Sequence, residues 1–296
     1  MAVTAKIDVK ENDILGSLRD LFKEILELED IHAILVPQHL PMKNMVMPTL
    51  VTDPDHLTGV DPLAPAFAMN AAKIVSRLTR KPMGGKIAAV LRPCEIRAFI
   101  ELVKLKQGRP DDLILIGIDC LGAFQNQDYF QYAGQNGSEP TMRFFNAFLN
   151  GKTTEMEGIH LSAACKACEY PVAASADIQI GLFGAEINAH YLVQSQTDAG
   201  TNILNQLSLT EIAEPSARRD AIRLLVERRT QYRDDMFAKT SEATDSLEKM
   251  TNYFATCVNC YNCRVACPVC YCKECVFVTD VFNHDTSQYF QWANRK

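Results

Sequence analysis

KIAAVLRPCEIRAFIELVKLKQGRPDDLILIGIDC, residues 86–120, decides the fold. Its opening, Lys86 to Leu91, is a short apolar run behind Gly84 and Gly85, which predicts a buried strand. Pro93 suits the first turn of a helix, the stretch CEIRAFIELVKLKQ continues it, and Gly108 and Pro110 end it. LILIGI, Leu113 to Ile118, reads as a second buried strand, so the pieces form a parallel strand-helix-strand unit. In such sheets the C-terminal strand ends open on one edge, where ligands bind. Cys94 and Cys120 each lie just past such an end. The amides and positive dipole end of the helix would stabilise a thiolate at Cys94.

Outward from this unit the pattern stays α/β. Ile14, Leu15, Leu18, Leu21, Phe22, Ile25 and Leu26 recur at helical spacing, and HAILVP at 32–37 is strand-like. A second helix is expected from Ala64 to Leu78, with Pro65 in its first turn, and DIQIGLFG at 177–184 reads as a short strand. From Pro215 to Met250 the chain is charged and lacks glycine, which predicts a long helix. Arg218, Arg219, Arg223, Arg228, Arg229 and Arg233 alternate with Asp220, Glu227, Asp234 and Asp235, the pattern of a solvated helix face. The expected organisation is an α/β body over 1–214 with a partly parallel sheet flanked by helices, a helical connector over 215–250, and a small irregular ferredoxin-like iron-sulfur segment over 251–296.

That last segment holds seven cysteines within nineteen residues: Cys257, Cys260, Cys263, Cys267, Cys270, Cys272 and Cys275. The first four read C-x2-C-x2-C-x3-C ahead of Pro268, the ligand run of a 4Fe-4S cluster, in which a tight loop wraps successive thiolates onto the corners of a cubane. Zinc is the alternative, but its sites need two C-x2-C pairs separated by a longer loop, often with a histidine. Upstream, Cys165-x2-Cys168 lies in a polar loop and lacks a second pair. With Cys94 and Cys120 at the sheet edge it would complete a second four-thiolate site. Two clusters are expected; a third would need an eighth tail ligand, as from a partner.

Eleven cysteines behind an N-terminus, MAVTAKIDVKEND, without an apolar signal core point to thiolates held for metal in a reducing cytoplasm rather than to disulfides. A net charge of −6 with interspersed signs excludes a nucleic-acid surface, and no apolar run has the length of a transmembrane helix. The histidines at 32, 39, 56, 160, 190 and 284 form no H-x3-H pair, and no acid-base or nucleophile constellation is evident. The terminal run QYFQWANRK, with Tyr289, Phe290 and Trp292, is apolar for a chain end and suggests a docking surface.

RPCEIRAFIELVKLKQGRPDDLILIGIDCLG (92–122), CKACEYPVAASADIQIGLFG (165–184) and CVNCYNCRVACPVCYCKEC (257–275) resemble, in that order, the beta subunits of methanogen-type formate dehydrogenase and of coenzyme F420-reducing hydrogenase. The tail motif resembles the formate dehydrogenase type. The resemblance implies a 4Fe-4S cluster on the cysteines at Cys94, Cys120, Cys165 and Cys168, and partners that include a catalytic oxidoreductase subunit and other iron-sulfur or flavin subunits. It also implies FAD in members that reduce the deazaflavin coenzyme. Their glycine-rich turn, resembling GG-x-V-T, is matched here by ENDILGSLRDLF with a lone Gly16, which leaves Pro62, Pro65, Asn70, Asp177 and Gly181 to Gly184 to line a flavin pocket.

Overall fold

The computed structural model describes residues 3–41, 45–82, 84–134, 140–149, 158–272 and 285–294. β1 (Thr4–Asp8) leads into α1 (Ile14–Leu26), capped by Asp13, whose Oδ1 accepts the Gly16 N–H at 2.8 Å. Every apolar position expected on its inner face is buried. β2 (Ile31–His39) and β3 (Val46–Val51) make an antiparallel edge, and α2 (Ala72–Leu78), β4 (Lys86–Leu91), α3 (Pro93–Lys104) and β5 (Leu113–Ile118) follow. Three short helices, α4 (Asn126–Ala133), α5 (Pro140–Leu149) and α6 (Ala163–Lys166), separate β5 from β6 (Ile178–Gly181). Next come β7 (His190–Ser195), α7 (Asp198–Gln206) and β8 (Thr210–Glu211). The chain then runs through α8 (Ser216–Ala243), α9 (Leu247–Tyr253), α10 (Asn262–Ala266) and α11 (Thr286–Ala293).

The strands form one sheet in the order β3-β2-β4-β5-β6-β7-β1-β8. Its centre is parallel, as expected: Ile87 pairs with Leu113 and Leu91 with Gly117, and β2 and β6 extend the parallel block on either side. Both faces are covered, which is why β4 and β5 read as continuous apolar runs. Ile87, Ala89 and Leu91 join Leu113 and Leu115 in a layer with α2 and α3, while Ala88, Val90, Ile114, Ile116 and Ile118 face the layer of α1.

Three expectations are corrected. The helix expected from Ala64 forms only from Ala72, because tertiary partners take the backbone groups it would have used. The Ala64 carbonyl accepts from Arg92 Nη2 (2.7 Å), the Pro65 carbonyl from the Phe124 N–H (2.9 Å), and the Ala71 N–H is held by Glu95 Oε1 (2.9 Å). The long charged helix ends at Ala243, and Ser246 caps α9 by accepting the Lys249 N–H. Nor is its arginine stripe uniformly solvated, since Arg218 and Arg229 are buried, at 1% and 5% exposure. Arg218 Nη1 and Nη2 meet Asp119 at 2.6 and 3.1 Å, just beyond β5. Gly184, at φ +68°, lets the start of α8 approach: a Cβ there would stand 2.4 Å from the Arg218 backbone nitrogen.

Candidate metal centre

The parallel block sends the exits of β4 and β5 to one edge, and the loops beyond them build a cavity of about 200 Å³. Cys94, Cys120, Cys165 and Cys168 all line it, together with Phe67, Asn70, Arg92, Gly122, Tyr170 and Arg229. Cys94 sits in the first turn of α3, where Pro93 sets the entry and Glu95 Oε2 accepts the Arg92 N–H at 2.9 Å. Cys120 is held by its own N–H, which donates to the Pro171 carbonyl at 2.8 Å. Ser162 caps the turn that carries Cys165, and its N–H is tied to the Ala123 carbonyl at 3.0 Å. Gly122 joins these loops at φ +112°, a conformation that L side chains avoid, and a Cβ there would touch the Cys165 Cβ at 3.5 Å.

The electrostatics depart from the expectation at Cys94. Burial, then the neighbouring Glu95 carboxylate, push its thiol far above the usual range, outweighing Arg92, so the helix start does not by itself favour the thiolate. Burial also raises the Cys120 thiol, against the pull of Arg92. Burial opposes the Arg92 charge as well, but the negative charge of Cys120, Glu95, Cys94 and Cys165 prevails and holds its proton more tightly.

Arg229, expected on a solvated helix face, is buried and lines this site. Its Nη2 donates to the carbonyls of Leu121 (2.8 Å) and Cys120 (3.3 Å), and its Nη1 to that of Cys168 (3.5 Å). One turn on, Arg233 pairs with Glu169, and at the cavity rim Arg97 lies 3.8 Å from the centre of the Tyr170 ring. Among the described residues neither Arg92 nor Arg229 has a carboxylate within ion-pairing distance, whereas Arg218 has Asp119 and Glu214. An unpaired buried cation costs roughly several kcal/mol, which an anionic occupant of the cavity would offset. A signal for Arg229 did exist in the sequence: 218, 222, 225 and 229 fall on one helical stripe, with Ile222 and Leu225 between the two arginines.

In the tail, Cys257, Cys260, Cys263 and Cys272 are exposed and Cys267 and Cys270 are half-buried, while Cys275 lies outside the described residues. Asn259 and Tyr261, at φ +52° and +56°, bracket Cys260 with left-handed turns, and the Cys267 N–H closes onto the Cys263 carbonyl at 3.0 Å. The loop rests on the body: Val269 packs against the α2–α3 layer, and Lys73 Nζ donates to the Val265 carbonyl at 3.2 Å. Among the described residues no three His, Cys, Asp or Glu are gathered to hold a single metal ion. His284 lies outside the described residues, as do the side chains of Tyr289 and Trp292, while Phe290 is exposed.

A second cavity, of about 910 Å³, lies across α8 from the cysteines, lined by Asn12, Asn146, Phe148, Phe183, Gly184 to Ala189, Leu225 and Arg228. The residues left for a flavin pocket do not share one wall. Asn70 lines the cysteine cavity and Gly184 the larger one, while Asp177 stands before β6, accepting the Leu115 N–H (2.8 Å) and the Thr197 hydroxyl (2.7 Å). No helix among the described residues is long and apolar enough to cross a membrane.

The family described as the C terminus of the coenzyme F420 hydrogenase/dehydrogenase beta subunit matches residues 84–217, the stretch that spans β4 to the start of α8. The chain is 25% identical to the F420-dependent formate dehydrogenase subunit beta of Methanocaldococcus jannaschii, covering 93% of this chain and 79% of that one. It is 22% identical to the F420-dependent formate dehydrogenase 1 subunit beta of Methanococcus maripaludis, covering 90% and 74%. A chain in a solved structure of the F420-reducing [NiFe] hydrogenase complex from Methanosarcina barkeri shares the fold, with a TM-score of 0.57 at 15% identity, over 84% of this chain and 94% of that one.

Proposed function

We propose that the chain, whose residues 84–217 match the coenzyme F420 hydrogenase/dehydrogenase beta subunit family, is the iron-sulfur electron-transfer subunit of a cytoplasmic multi-subunit redox complex. One observation carries the reading: four cysteines from three separate loops line a single cavity into which Arg92, beside the buried Glu95 carboxylate, and Arg229, with no carboxylate partner among the described residues, bring positive charge. Those residues fit a 4Fe-4S cluster, whose thiolate-ligated core is anionic, held by Cys94, Cys120, Cys165 and Cys168. When bound, such a cluster supplies one-electron redox chemistry without proton transfer. The protein's part is to deliver the thiolates, balance their charge through the two arginines, and flank them with the rings of Phe67 and Tyr170.

The tail supports a second cluster on Cys257, Cys260, Cys263 and Cys267 or on a set that draws in Cys270, Cys272 or Cys275, in a ferredoxin-like segment. Exposure of Cys257, Cys260 and Cys263 suits exchange of electrons with a partner. By analogy with its relatives, that partner would be a formate dehydrogenase or hydrogenase catalytic subunit. A heterodisulfide-reductase-like flavoprotein would be a fitting acceptor. Anaerobic purification followed by metal analysis tests this: the expectation is about eight irons per chain and little zinc. Zinc in place of iron would overturn it in favour of a stabilised scaffold.

A second reading, a subunit that itself carries FAD and reduces a deazaflavin or nicotinamide coenzyme, is favoured by the larger cavity. Arg228 lines that cavity and the adjacent Arg229 lines the cysteine cavity, so the two cavities adjoin the same stretch of α8. Yellow flavin released on acid denaturation would select this reading over the first.

A further inference from the structure

Resting on the assignment of a cluster to the body cysteines, we propose that Arg229 is the positioning residue that sets that cluster's reduction potential, acting as its buried counter-cation and raising the potential. The argument begins with placement. Arg229 arrives from α8, far along the chain from the cysteines, and its guanidinium spans the Leu121, Cys120 and Cys168 carbonyls, so it is fixed between two of the three cysteine-bearing loops. It is 5% exposed, so solvent screens it little.

Charge supplies the second step. Reduction adds one negative charge to a site that already carries four thiolates, and a fixed cation beside it favours the reduced form. Arg218, three turns earlier on the same helix, cannot do this, because Asp119 neutralises it. Arg92 shares the cavity and the sign, with its Nη2 on the Ala64 carbonyl and its guanidinium 5.3 Å from the Phe67 ring centre. Of the two, Arg229 alone touches backbone on both sides of the site, and so it also keeps the Cys120 and Cys168 loops in register.

The test is a set of anaerobic redox titrations of the purified chain, followed by electron paramagnetic resonance of the body cluster, on the Arg229→Lys and Arg229→Gln variants. Arg229→Gln removes the charge and should lower the reduced-to-oxidised ratio at fixed potential at least tenfold, about 59 mV downward for one electron. Arg229→Lys keeps the charge and should stay within a few-fold of the unmutated chain. A loaded Arg229→Gln chain with an unshifted potential would overturn the proposal, as would loss of the body cluster from both variants alike, which would mark a purely structural role. If only Arg229→Gln fails to retain iron, Arg229→Met, which keeps much of the side-chain bulk without the charge, carries the same test, and an unshifted potential in that variant overturns the proposal too. Absence of a body-cluster signal from the unmutated chain would instead remove the cluster assignment itself.

Discussion

Replacing Asp119 by alanine strands Arg218 in the interior. Arg218 is 1% exposed, and without Asp119 it keeps only the Phe183 carbonyl at 3.3 Å and the partly exposed Glu214 at 3.5 Å. Removing one partner of a buried pair costs about 3–5 kcal/mol. At about 2 °C per kcal/mol, the low end suited to a long chain, the Asp119→Ala variant should melt roughly 6–10 °C below the unmutated protein. The reverse change is milder. In Arg218→Met the carboxylate still accepts the Leu182 and Phe183 N–H groups, at 2.8 and 3.2 Å, and the Gln179 amide at 3.3 Å, so about 2–3 kcal/mol is expected. The double variant should cost about 2 kcal/mol less than the sum of the singles, because neither charge is then left alone. Anaerobic scanning calorimetry of the three variants supplies the cycle. Additive losses, or an Asp119→Ala loss below about 1 kcal/mol, would refute the view that α8 is anchored to the sheet edge by this pair.

Cys165→Ser should abolish or convert the body cluster and leave the tail signal intact in electron paramagnetic resonance; joint loss would mean that the two sites do not fold separately. Gly122→Ala forces a side chain into φ +112° and should cost about 1–3 kcal/mol while lowering iron retention in the body, read by calorimetry and metal analysis. Burial, then Glu24 and Asp20, raise the Tyr191 hydroxyl above its ordinary value, so the stability it contributes is full below about pH 10 and is lost as pH rises toward the folded-state value. Tyr191→Phe should flatten the alkaline fall in melting temperature. Below pH 10 it should cost about 1 kcal/mol for the lost bond to the Ser17 carbonyl, and an unchanged alkaline slope would exclude this assignment.

The parallel block and the sheet-edge address of Cys94 and Cys120 were legible because both depend on local pattern: an apolar run, a proline at a helix start, a glycine and proline at its end. β3, with Pro48 inside it, and the short β7 and β8 carried no such punctuation, and their pairing is decided by partners far away in sequence. The extent of α2 failed for a related reason. Its apolar spacing was genuine, but buried acceptors and donors around Arg92, Glu95 and Phe124 outbid the helix for the backbone of the preceding residues. The arginines of α8 depart from the expected solvated face because the stripe of 218, 222, 225 and 229 docks against Asp119 and the cysteine loops, whereas Arg223, off that stripe, pairs with Glu227 in the open.

Besides the Phe67 and Asn70 side chains, the segment ahead of α2 meets its surroundings through main chain: the carbonyls of Ala64, Pro65 and Ala68 receive Arg92, Phe124 and Asn126. A carbonyl survives any exchange of the side chain beside it. Single substitutions at Ala64 or Ala68 leave the acceptor chemically intact and disturb the site through crowding or backbone shifts, whereas inserting or deleting one residue there would displace the acceptors from their partners together. This side of the cavity is therefore specified by length as well as by the identity of Phe67 and Asn70, and a scan of point changes alone would underrate how closely it is constrained.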